Sequence, residues 1–165
     1  MEFKIIGIIH FLGTMLIPLY GFLFKKNVFD KVYLFYTVIV ITSWLFCKGE
    51  CLISYYIKKM NDDNYILGSK ASDLKDIYDL FNKKYIPIVN FMMKLSLVIH
   101  AFSMNIVFLR NDYPQLLSFI IPYLLIIYNI LLKFKNKNLE VIYNLLKLSF
   151  SIILLYMMEK EKIIT

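Results

Sequence analysis

The sequence predicts an all-α protein: a polytopic transmembrane helical bundle of five spans, with one short amphipathic surface helix. Three observations predict it. Of the 165 residues, 59% are hydrophobic and the mean hydropathy is +0.62, values that belong to membrane proteins and not to soluble domains. The apolar residues come in runs of roughly 20, the length a helix needs to cross a bilayer core of about 30 Å. The lysines behind the net charge of +7 sit at the ends of those runs, where they orient spans at a cytoplasmic face and meet anionic lipid headgroups. No basic stripe on a soluble fold is visible, so nucleic acid is not an expected partner.

The whole chain, residues 1–165, reads as one membrane domain. Residues 4–24 form the first span. No small-residue cleavage site follows it, so a removed signal peptide is not expected. Gly7, Thr14 and Gly21 recur every seven residues with His10 on the same side, a stripe that lets another helix approach closely. Pro18 bends the span at a tolerable cost where neighbours satisfy the freed carbonyl. Residues 32–57 form the central span, interrupted by the polar knot Lys48-Gly49-Glu50. Trp44 lies inside this span and is expected to pack between helices. Tyr55 and Tyr56 beside Lys58 and Lys59 form an aromatic and cationic rim. Cys47 and Cys51, four residues apart, share a helix face and read as two buried free thiols.

Residues 60–85 are the one sizeable hydrophilic stretch. Within it, Leu74, Ile77, Tyr78 and Phe81 follow helical spacing and predict an amphipathic helix over about 73–84. Ser72 caps it, and Asp73 and Asp76 suit its positive end. Its apolar face should dock on the membrane or the end of the bundle, while Asp76 and Asp79 stay wet. Residues 86–109, entered through Pro87, form the third span and carry two polar stripes. Asn90, Lys94, Ala101 and Asn105 lie on one, and Ser96, His100 and Ser103 on the other. Residues 115–132 and 139–158 are the fourth and fifth spans, joined by the basic turn 133–138. Lys147 interrupts the fifth, so four spans is the alternative count.

Depth supplies the main functional signal. Glu50, Lys94, Lys147 and His10 each fall roughly six to eight residues inside their spans, about 10–12 Å below one surface at 1.5 Å per residue. Ionisable groups at such depth face the bundle interior and pair. An intramembrane polar layer is therefore expected, with Glu50 paired to Lys94. The competing reading lets both lysines snorkel to the surface.

A further pattern runs through Trp44, Lys48-Gly49-Glu50-Cys51, Ser54-Tyr55, Lys58-Lys59, Asp62, Tyr65 and Gly68. It resembles a pattern in small uncharacterised polytopic membrane proteins of large DNA viruses, over residues 44–68 alone. The resemblance implies a membrane location and brings no activity with it.

No phosphate-binding glycine loop, nucleophile elbow or zinc spacing occurs. No catalytic residue, cofactor or metal is assigned. His10, His100, Cys47 and Cys51 lie on three spans without the local spacing of a metal or haem site. The expected function is that of a non-enzymatic integral membrane protein, a structural scaffold or interaction module. Its partners would be the bilayer, anionic headgroups, and a protein partner or a second copy. A small ion or proton channel or transporter-like conduit through the polar layer is the alternative. A lipid-modifying or redox membrane enzyme comes third. Ten basic residues on the N-terminal side against six on the other place the N-terminus in the cytoplasm.

Overall fold

The computed structural model describes residues 2–71, 73–131 and 140–161, and among these all regular structure is helical. The chain begins with α1 (Glu2–Leu16), passes through a 3-10 turn at Ile17–Leu19, and continues as α2 (Tyr20–Leu23). Pro18 sits in that turn, because its ring and missing N–H disfavour an unbroken α-helix. Next come α3 (Phe29–Phe46), α4 (Leu52–Asn61) and the single-turn α5 (Lys75–Tyr78). A second 3-10 turn, Lys83–Tyr85, leads into α6 (Ile86–Arg110), followed by α7 (Gln115–Leu131) and α8 (Glu140–Lys160). Among the described residues three tracks are long and apolar enough to cross a membrane: Lys4–Leu23, Phe29–Phe46 and Lys83–Arg110. The runs expected at residues 115–132 and 139–158 coincide with α7 and α8. The basic turn 133–138 and the Ser72 cap lie outside the described residues.

The central run is not one span. It ends at Phe46, and α4 is a separate helix. Lys48 and Gly49 both take positive φ, 54° and 85°, and two successive left-handed residues cannot continue a right-handed helix. Cys47 and Cys51 therefore do not share a helix face.

The stripe on α1 and α2 does what small residues permit. A Cβ on Gly7 would collide with the Asp76 carbonyl oxygen, so α5 lies directly against α1. A Cβ on Gly21 would stand 2.5 Å from the Ser103 carbonyl oxygen, and the Gly21 N–H donates to Ser103 Oγ at 2.8 Å. Ser96 Oγ donates to the Thr14 carbonyl, and His100 Nε2 lies 3.2 Å from Thr37 Oγ1. The Ser96, His100 and Ser103 face of α6 thus meets α1, α2 and α3. A shared apolar core joins α3 (Leu34, Val38, Ile41) with α6 (Met104, Phe108), Ile121 of α7 and Phe150 of α8. Trp44 packs against this core.

At the end remote from the N-terminus a buried acid ties the helices together. Asp30 is fully buried and accepts from Arg110 Nε at 2.7 Å, Asn111 Nδ2 at 2.7 Å and the Tyr20 hydroxyl at 2.8 Å. Lys31 pairs with Glu161, and Lys160 Nζ sits 3.7 Å from the centre of the Tyr113 ring. The start of α3, the α6–α7 turn and the end of α8 therefore share that end.

Candidate functional site

The break after α3 brings Cys51 to the N-cap of α4, and from there its sulfur faces α1. Cys51 Sγ lies 3.4 Å from His10 Nε2, and His10 Nδ1 lies 2.5 Å from Asp76 Oδ2. Ser54 Oγ, one turn into α4, donates to the other Asp76 oxygen at 2.6 Å. Asp76 and Ser54 are fully enclosed, the His10 side chain is 9% exposed, and Cys51 is half-buried. With Nδ1–H donated to the carboxylate, Nε2 is left to face the thiol. A thiol, an imidazole and a carboxylate in line form the arrangement that activates a nucleophile through an oriented base.

The electrostatics separate the two cysteines. Burial pushes the Cys51 thiol up, but the His10 hydrogen bond and charge, with the Ser54 and Ile53 amides, outweigh it and hold the thiol below its ordinary value. A helix N-terminus favours a thiolate for the same reason. Cys47 goes the other way: burial raises its thiol, and nearby Glu50 and Cys51 add to the rise. Burial also pushes Asp76 up, yet its hydrogen bonds from His10 and Ser54 keep its carboxyl below the usual carboxylate range.

Beside this line, a second buried carboxylate fixes the backbone around Cys51. Glu50 is fully enclosed and accepts from Lys58 Nζ at 2.7 Å, the Tyr65 hydroxyl at 2.7 Å and the Gly68 N–H at 2.8 Å. Lys58 Nζ also donates to the Lys70 carbonyl at 2.7 Å. Gly68 has φ of +82°, and a Cβ there would lie 2.6 Å from Lys48 Cβ. The loop after α4 is thereby strapped onto the Lys48-Gly49 turn.

The expected polar layer is redistributed. Glu50 pairs with Lys58, eight residues away on the following helix, and not with Lys94. Lys94 is exposed on α6, and Lys147 Nζ sits 5.9 Å from the centre of the Phe46 ring. His10 pairs with Asp76. The amphipathic helix is a single turn and not the full 73–84 stretch. Its apolar face docks on α1: Ile77 is fully buried, Leu74 and Tyr78 are half-buried, and the Phe81 ring meets the Phe11 ring edge-on at 5.2 Å. Tyr78 also donates its hydroxyl to Asn90. Asp79 is exposed as expected, whereas Asp76 is buried, because the Gly7 gap lets α5 sit low enough to carry it beneath the surface. Sequence reasoning missed Cys51, Asp76 and Ser54 as site residues, Cys51 having read as a buried free thiol. None of them stands out by spacing, since the site joins three segments distant in the chain. His100 is half-buried near Thr37 and Tyr33, away from the thiols. Among the described residues, no group of three or more His, Cys, Asp or Glu is placed to hold a metal.

No family model, curated protein or solved structure matches the chain.

Proposed function

We propose that the protein is a membrane-embedded thiol enzyme of the acyl-transfer class, with Cys51 as nucleophile, His10 as general base and Asp76 as the group that orients the ring. The observation that carries the reading is the continuous hydrogen-bonded line from Cys51 through His10 to Asp76. His10 Nε2 takes the thiol proton, and the resulting thiolate attacks an acyl carbon while the imidazolium holds that proton. The carbon–sulfur bond forms, the bond to the leaving alcohol breaks, and that alcohol departs with the proton from His10. Water or another hydroxyl then attacks the thioester, giving its proton to His10, and the thiol is restored. Glu50 and its strap act as positioning residues for the Cys51 backbone.

The membrane frame is a five-span bundle with the N-terminus in the cytoplasm. The end shared by the start of α3, the α6–α7 turn and the end of α8 supports five passes, and the lysine asymmetry supports the orientation. The likeness of residues 44–68 to a pattern in viral polytopic proteins covers Glu50, Cys51, Ser54, Lys58, Tyr65 and Gly68, so it falls on the site and its strap.

The test is acylation of the full-length protein in detergent by p-nitrophenyl acetate. The expected result is a burst of nitrophenol equal to the protein present, with a hydroxylamine-labile acetyl group on Cys51. His10→Ala should slow the burst by about 10²–10⁴-fold, the range of general-base catalysis. A scaffold in which the same residues only lock helices together would give no burst.

A further inference from the structure

Resting on the acyl-transfer reading, we infer that the substrate is a long-chain acyl ester of a bilayer lipid, which reaches Cys51 sideways along the outer face of α3. Leu52 and Ile53, which follow Cys51 in the chain, are large, apolar and exposed, as is Phe46 at the end of α3. His10 lies six residues into the Lys4–Leu23 track, roughly 9 Å along the helix at 1.5 Å per residue. At that depth below a membrane surface the ester carbonyls of lipids pass into their hydrocarbon chains.

The face leading away from the sulfur has the same character. Phe46, five residues before Cys51, is 59% exposed at the end of α3, and Tyr36 is 48% exposed on the same helix. Ile39 and Val32 continue the exposed stripe to either side, at 51% and 64%. Beyond Tyr36 the stripe opens into a cleft of about 520 Å³ lined by Val32, Phe35 and Tyr36, with Lys31 and Glu161 at its far end. A lipid whose ester stands at Cys51 directs its acyl chain toward the bilayer centre, the same direction that this stripe takes along α3. Cys51 attacks the ester carbon, the carbon–sulfur bond forms, and the lyso-lipid leaves as an alcohol carrying the proton from His10. Water then releases the fatty acid.

The experiment uses full-length protein in nanodiscs of dipentadecanoyl phosphatidylcholine, so that an odd-numbered acyl chain identifies its source. Intact-mass analysis should find a hydroxylamine-labile pentadecanoyl adduct that is absent from Cys51→Ser. In detergent, p-nitrophenyl palmitate should acylate Cys51 more than about tenfold faster than p-nitrophenyl acetate, since every methylene that leaves water favours binding. Val32→Trp, which fills the stripe, should remove that advantage. Equal rates for the two esters would overturn the lipid inference and leave the thiol enzyme standing. A long-chain preference without any adduct from the phospholipid would overturn the bilayer source. Failure of both esters to label Cys51 would overturn the enzyme reading and the inference with it.

Discussion

Cys47 and Cys51 stand four residues apart, yet they are different reagents. A continuous helix would have given them one environment. The turn at Lys48 and Gly49 sends Cys51 back toward His10 and leaves Cys47 at the end of α3. Burial raises both thiols, and only Cys51 has an imidazole and two amides to reverse the effect. Alkylation by iodoacetamide followed by peptide mapping reads this directly. The Cys51 rate should rise with a midpoint below the ordinary thiol value of about 8.5, and the Cys47 rate above it. In His10→Ala the Cys51 midpoint should move up past that value, because burial then acts alone. Coincident profiles for the two cysteines in the unaltered protein would contradict the site. At this scale the sequence was partly legible. Glu50 and His10 stood out as polar groups at depth, and both are buried and ion-paired. Their partners were not legible, because the depths were counted along a helix that the Lys48-Gly49 turn interrupts.

Between α4 and α5 the chain is held by polar bonds more than by apolar area. Glu50, Lys58, Tyr65, Gly68 and the Lys70 carbonyl form one network in which the acid and the base are each almost wholly enclosed. Removing one member of such a pair strands the other without water, at about 3–5 kcal/mol. Removing both leaves no stranded charge. A double-mutant cycle with Glu50→Gln, Lys58→Met and the combination, followed by thermal unfolding in detergent, should show the double variant more stable than the sum of the singles requires. The same cycle with Lys94→Met in place of Lys58→Met should be additive, since Lys94 is exposed on α6. Coupling of Glu50 to Lys94 and not to Lys58 would reverse the assignment. The amphipathic pattern of residues 74–81 was legible as a docking face. Its length and the burial of Asp76 were not. A helical wheel carries no information about the gap that Gly7 opens on a distant helix.

For the molecule as a whole, hydropathy indicated the helical class and the runs that could cross a bilayer, but not where the central one stops. Five passes with the N-terminus inside would put residues 25–31 and 110–114 on one side and residues 60–85 on the other. Single cysteines at positions 26, 63 and 112, introduced after Cys47 and Cys51 are replaced, should label accordingly. Positions 26 and 112 should react with an impermeant maleimide from outside cells, and position 63 only after permeabilisation. Labelling of positions 26 and 63 from the same side would discard this topology. The low seat of α5 against Gly7 also bears on the order of assembly. On that topology Asp76 need not be threaded across the bilayer, since it would arrive from the side on which its segment is made. The helices on either side could then insert first, with the acid buried only when the single turn of α5 settles onto α1. In that order the site would close last and open first, and opening would expose His10 to water while the neighbouring helices remain in place.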